Sequence, residues 1–491
     1  MRLLLKHAHR LNKICNKGKK MNKACMGEHF WELWNDELQA QIDRDIEKNR
    51  KADASIELSG VADGEMVKIE QLTHSFIFGA HIFNFDQLGS KECNDRYKEL
   101  YGTLFNSATI PFYWKKFEME KGKPRHEASY EDSEEFWNNC PNPKEQPHWR
   151  RPVPSTLIKF CKEKGIRIHG HPLTWSNCNW HVPHWLTDKL PEEYKKTIPS
   201  VPRGNGYLMG KFAAMSPKEI EAELPEFVEE FNQLHWNRII DIAEKYGDDV
   251  DSWDVVNESG EDFDKGNIVE DDLICKSTCW LMPGDYTFKS FKLAQEKLPE
   301  NAKLNINDWY VCAGYKRQIE NLMERGCKID IQGMQMHLFN PKDCQDIAEG
   351  RSDLKSPTEL RCMVMDNWAC GLPVHLSEIT LTSPQTPDGE EQQAFLLRNF
   401  YRLWFSLEPM MGITWWNVVD DCGAPGEPSF SGLFHRDMTP KKSYYALNDL
   451  INKEWKTNLE LPVEGGKVSF RGFRGKYKIT LPDGTEKFIE V

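Results

Sequence analysis

Apolar positions recur along this chain in two rhythms. Over residues 28–50 they fall at helical spacing, with Phe30, Trp31, Trp34, Leu38, Ile42 and Ile46 on one stripe, which predicts an amphipathic helix. The runs 54–58 and 66–72 alternate apolar and polar residues across a 60–64 turn, which predicts a hairpin of two short strands. From Ser75 onward, short β-rich runs alternate with helical stretches. The candidate strands are 75–79, 104–108, 166–173, 250–257, 303–307, 329–338, 373–378 and 412–418, with helices at 224–246, 286–297, 317–325 and 391–406 among the segments between them. Eight strands alternating with helices is the α/β pattern of a (β/α)8 TIM barrel, and the length beyond about 250 residues implies loop insertions. An open doubly wound sheet is the alternative, but the chain has no G-x-G-x-x-G or G-x-x-x-x-G-K-[ST] run to support a nucleotide-binding form of it.

After Trp455 the pattern returns to short strands and turns, expected to pack with the hairpin that precedes the barrel. The expected organisation is therefore a basic tail (1–27), a helix and hairpin (28–74), the barrel (75–450) and flanking C-terminal strands (451–491). Two long segments, 121–154 and 188–217, interrupt the barrel rhythm, the second with a Pro-Arg-Gly-Asn-Gly turn at 202–206. Both follow strands, so a barrel puts them on its catalytic face.

Charge narrows the partners. With 76 acidic and 63 basic side chains the net charge is −13, which argues against nucleic acid or an anionic membrane surface as a partner. No run of eighteen apolar residues occurs, so no membrane-spanning helix is expected. The fourteen cysteines include no C-x-x-C, and Cys275 and Cys279 lack the further ligands of a zinc site. Reduced, mostly buried thiols are expected. The basic start has Leu3-Leu4-Leu5 as its only apolar stretch, too short for a secretion signal. A cytoplasmic monomer is expected of the sequence as written, with Met21 an alternative start.

In a barrel, chemistry sits at the strand C-termini. Those ends are His81, Thr109, the run His169-Gly-His171-Pro-Leu-Thr-Trp175, Asn257-Glu258, Asn307-Asp308-Trp309, Gln335-Met-His337, Glu378 and Trp415-Trp416. Two carboxylates among indoles and amides suit cleavage of a glycosidic bond: one donates a proton, one attacks, the rings stack sugars and the amides hold hydroxyls. Each residue also has a plainer role. Glu258 and Glu378 can be rim ion pairs, the histidines can be core residues bonded to carbonyls, and alternation sends Trp415 and Trp416 to opposite faces. His169 and His171 have the spacing of a metal pair, but no carboxylate follows at a suitable distance, so neither metal nor cofactor is expected.

Six segments, in order and each at a predicted strand end, give the chain a resemblance to glycoside hydrolase family 10, the retaining endo-β-1,4-xylanases. They are His169-Gly-His171-Pro-Leu-Thr-Trp175, Trp253-Asp-Val-Val-Asn257-Glu258, Leu304-Asn-Ile-Asn307-Asp308, Gly333-Met-Gln335-Met-His337-Leu, Leu376-Ser-Glu378 and Ile413-Thr-Trp415-Trp416-Asn. The flanks, Thr73-His-Ser-Phe-Ile-Phe-Gly79 and Phe470-Arg-Gly-Phe-Arg-Gly-Lys-Tyr477, resemble plant-like members. The resemblance implies a carbohydrate substrate, Glu258 as acid/base and Glu378 as nucleophile. It further implies that Asn257 and Asn307 serve substrate binding, that His337 and Gln335 stand by the nucleophile, and that Lys115, His171, Trp175 and Trp416 line the glycone subsites. Members are usually secreted.

Three positions depart from the family pattern. Pro111-Phe112 stands where a Glu-Asn pair is expected, Thr380 replaces an acid two residues after the nucleophile, and no second tryptophan occurs in 420–426. These departures keep two alternatives open: the same chemistry on another β-linked oligosaccharide or glycoside, and a carbohydrate-binding barrel without turnover.

Overall fold

The computed structural model describes residues 22–195, 210–270 and 273–491. Most of the basic tail and the 202–206 turn lie outside the described residues. The stripe over 28–50 forms two helices, Glu28–Leu33 and Asp36–Arg50, because the Asn35 side chain accepts from the Leu38 amide and caps a fresh start. Strands β1 (Lys51–Glu57) and β2 (Met66–Gln71) follow. They are not a hairpin. β1 pairs antiparallel with β12 (Lys467–Phe473), while β2 lies between β11 (Asn458–Pro462) and β13 (Lys476–Thr480), with β14 (Glu486–Glu490) outside β13. The turn signal marks the chain reversal, but each strand finds its partner in the distant C-terminal segment. Leu58, Val67, Ile69, Val468, Phe470, Tyr477 and Ile479 close a small core between the two sheets.

The eight barrel strands are β3 (Ile77–His81), β4 (Ser107–Pro111), β5 (Arg167–His171), β6 (Ser252–Asn257), β7 (Lys303–Asp308), β8 (Ile331–Leu338), β9 (Val374–Leu381) and β10 (Met410–Trp415). Every pairing is parallel, and the order runs β3 to β10 and back to β3, so the sheet is closed. Burial on both faces explains the near-continuous apolar runs that mark these strands in the sequence. One glycine is dictated by packing: a Cβ on Gly170 would lie 2.4 Å from the Trp253 ring, which fills the space between β5 and β6. Among the described residues no helix is long and apolar enough to cross a membrane.

Two register shifts aim the site. β6 and β7 slip between Asn305 and Ile306, leaving Asn257 opposite Asn307, and β8 and β9 slip between Met334 and Gln335, leaving Gln335 opposite Glu378. Such bulges re-aim side chains where a strict pleat would turn them away. Gly333 allows the first arrangement, because a Cβ there would sit 2.8 Å from Asn307 Oδ1.

Candidate active site

A cleft of about 680 Å3 opens at the C-terminal end of the barrel strands, lined by Tyr113, Arg150, Arg151, His171, Trp175, Asn257, Glu258, Asp308, Gln335, His337, Phe339, Glu378, Trp416 and Glu427 among others. Glu258 follows the last residue of β6 with φ at 57°, a left-handed conformation that costs a residue with a Cβ about 1–2 kcal/mol. Its amide donates to the Asn307 carbonyl at 2.8 Å, which holds the strained turn. Trp175 Nε1 donates to Glu258 Oε2 at 2.9 Å and Gln335 Nε2 to Oε1 at 3.2 Å. Burial, then the charges of Glu378 and Asp308, push this carboxyl up from 4.5 to about 8, and the two hydrogen bonds offset only part of that. Glu258 is therefore protonated near neutrality.

Glu378 lies within β9 and meets a different set of neighbours. Asn307 Nδ2 donates to its Oε1 at 2.9 Å, His171 Nε2 stands 3.9 Å from the same oxygen, and His337 Nε2 stands 3.6 Å from Oε2. Asn307 Nδ2 also reaches Asn257 Oδ1 at 2.8 Å, so one buried amide ties β6, β7 and β9 together. The histidines are themselves held. His171 Nδ1 bonds Asp254 Oδ2 at 2.7 Å, and His169 Nε2 lies 2.9 Å from the same oxygen. Burial opposes the charge on Asp254, but the two imidazoles outweigh it and hold the carboxyl below its ordinary range. His337 Nδ1 bonds Thr380 Oγ1 at 2.9 Å, so a hydroxyl orients this ring where an acid was expected.

Of the residues singled out from the sequence, His171, Trp175, Asn257, Glu258, Gln335, His337, Glu378 and Trp416 line the cleft. Asn307 stands just behind them. Lys115 is outside the lining; its Nζ donates to the Asn179 carbonyl at 2.9 Å, and burial lowers it to about 8. Trp415 is wholly buried and donates to the Asn417 carbonyl, while Trp416 joins Phe83, Tyr113 and Trp175 in an aromatic cluster at the mouth.

Other lining residues were missed. Phe112 turns into the core, its ring 4.9 Å from Trp253, and the next residue, Tyr113, faces the cleft. Arg150 and Arg151 come from the first insertion and Glu427 from just beyond the segment that lacks the second tryptophan. Strand-end logic reaches none of them, although the placement of that insertion on the catalytic face was the available signal. A second cavity of about 670 Å3 is lined by Glu390, Asp420, Phe430, His435 and Lys441. Its Asp420 is met by Lys441 at 3.1 Å and its Glu390 by His435 at 3.2 Å, so both carboxyls already have a basic partner.

The sequence profile of glycosyl hydrolase family 10 matches residues 137–450. The chain belongs to glycosyl hydrolase family 10. Its relatives include a putative endo-1,4-beta-xylanase of Caldicellulosiruptor saccharolyticus, 26% identical over 325 residues that span 62% of this chain and 89% of the relative. Endo-1,4-beta-xylanase B of Paenibacillus barcinonensis is 22% identical over 318 residues, 59% of this chain and 79% of the relative. Native xylanase 10B from Thermotoga maritima superposes with a TM-score of 0.49 at 18% identity, over 77% of this chain and 96% of that one. As a family 10 member the chain is a glycoside hydrolase on a (β/α)8 barrel, with a carbohydrate as its substrate.

Proposed function

We propose that this protein hydrolyses β-1,4-xylosidic bonds in xylan or xylo-oligosaccharides by double displacement, with Glu378 as nucleophile and Glu258 as acid/base. The observation that carries the assignment is the contrast between the two carboxyls. Glu258 is pushed to about 8 and holds a proton, while Glu378 is met by an amide donor and flanked by two imidazoles. A retaining mechanism needs that division.

A Glu378 oxygen attacks the anomeric carbon as the Glu258 proton passes to the departing glycosidic oxygen, leaving a glycosyl ester and a Glu258 carboxylate. Water then gives its proton to Glu258 and attacks the same carbon, and Glu378 leaves as a carboxylate. The charge on Glu378 is absent while the ester lasts, so a cause of the raised Glu258 pKa is removed when a base is needed. In this reading Asn257, whose Oδ1 accepts from the Asn307 amide that also bonds Glu378, holds a sugar hydroxyl, and the Trp175 and Trp416 rings stack on the sugars. Xylose as the sugar is supported by the names of the relatives.

Product analysis of the purified protein on xylan, xylo-oligosaccharides, other β-glucans and aryl glycosides tests the substrate. Xylo-oligosaccharide release is expected, and none from Glu378→Ala. Added azide should restore Glu378→Ala with a product of inverted configuration. Cleavage of another β-glycoside with no action on any xylose substrate would retain the chemistry and reject xylan.

A further inference from the structure

Two adjacent arginines from the segment joining β4 to β5 enter the cleft, and they differ in how their charge is met. Arg150 is 3% exposed. Its Nη2 donates to Asn417 Oδ1 at 3.0 Å, and its Nη1 stands 3.5 Å from Glu427 Oε2. Glu427 also accepts from Asn417 Nδ2 at 2.9 Å, the Ala424 amide at 2.7 Å and Trp416 Nε1 at 3.1 Å. Burial alone would raise Glu427, but the Arg150 charge and these donors hold it below the usual carboxylate range. Arg150 and Glu427 thus form a matched pair at the root of the cleft wall.

Arg151 has no such match. Its guanidinium lies 3.8 Å from the centre of the Tyr113 ring and 5.1 Å from that of Phe83. Its Nη1 donates to the Arg150 carbonyl at 2.8 Å, its Nε has no partner, and no carboxylate stands within ion-pair distance of it among the described residues. The Tyr113 ring beneath it is 5.3 Å from His171 and 5.7 Å from Trp175, so this cation belongs to the wall beside Glu378. Stacking on an aromatic face fixes the guanidinium plane and leaves Nη2, which is neither bonded nor buried, for a carboxylate acceptor. A neutral sugar closing over Arg151 would desolvate the charge without compensation, whereas a carboxylate would compensate it.

We propose that Arg151 receives the carboxylate of a uronate unit carried by the saccharide substrate, on the Tyr113 side of Glu378. The proposal rests on the cleft being the saccharide site, and it makes acidic saccharides the preferred substrates. The test compares uronate-bearing xylo-oligosaccharides with the same compounds after reduction of the carboxyl to an alcohol. One pair carries the uronate as a side group and the other as the terminal unit, which separates the two sources of the carboxylate.

For the wild type, kcat/KM on at least one acidic compound should exceed that on its reduced form tenfold or more, and the ratio should shrink with added salt. Arg151→Gln should lower that ratio at least tenfold, and Arg151→Lys should recover part of it. Equal kcat/KM on acidic and reduced forms by the wild type overturns the proposal without any variant. An equal loss on both forms in Arg151→Gln also overturns it, since that marks a packing role. If no compound is cleaved, the xylan assignment fails separately, and calorimetric binding of the same pairs decides on Arg151: equal affinity overturns its role, a tenfold preference for the acid supports it.

Discussion

Replacing Glu378 by Gln removes the charge facing Glu258 while keeping an amide of the same shape for Asn307 to contact. Glu258 stands at about 8, with burial the largest cause and Glu378 the next. In retaining glycosidases the two carboxyls lie about 5.5 Å apart, and at an effective dielectric constant near 20 two like charges at that separation repel by about 3 kcal/mol. That is about two on the pKa scale. Glu378→Gln should therefore lower the Glu258 pKa by one to two, roughly, with burial and Asp308 still holding it above 4.5. The assay is a carbon-13 titration of labelled glutamate carboxyls in wild type and Glu378→Gln, with Glu258→Gln identifying the resonance. In the wild type, kcat/KM should fall as pH rises through about 8, where Glu258, as the proposed proton donor, loses its proton. An unchanged Glu258 titration in Glu378→Gln would refute the coupling, and a wild-type value near 4.5 would refute the raised acid altogether.

Folding raises the Glu258 pKa above 4.5, so the folded state holds its proton longer and wild-type stability falls as pH rises from about 4.5 through about 8. Glu258→Gln cannot ionise and should gain on the wild type across that window, by at most roughly 5 kcal/mol before solvent screening. Melting curves at pH 5 and pH 9 check this, and an equal difference at both pH values would refute it. Thr380→Ala removes the hydroxyl at 2.9 Å from His337 Nδ1 while leaving the ring stacked 4.5 Å from Phe339. Loss of one such bond, about 1 kcal/mol, should cost kcat/KM about fivefold with folding retained. Thr380→Ser should restore the rate, and an unchanged rate in Thr380→Ala would mean that packing alone orients the ring.

The strand ends that line the cleft were legible because a barrel links sequence position to place. A buried parallel strand needs a continuous apolar run, so the run marks the strand, and its last residues must emerge at the same rim as every other strand's. Asn257, Glu258, Gln335 and His337 follow from that rule. The same rule does not reach Phe112 and Tyr113, because after β4 the chain leaves the pleat. Which of these two adjacent side chains then faces the cleft depends on what fills the core behind it, here the Trp253 ring against Phe112.

The sequence by itself determined the number and order of the barrel strands, the insertions and the pair of carboxyls, because those depend on periodicity and on residue type. Tertiary structure alone decided three further things. It paired β1 and β2 with strands some 400 positions away in the chain. It slid β8 against β9 so that Gln335 faces Glu378, and it brought Arg150, Arg151 and Glu427 into one wall. Periodicity is a local property of the chain, whereas the partner of a strand edge or of a buried charge is settled by which distant segment fills the space beside it.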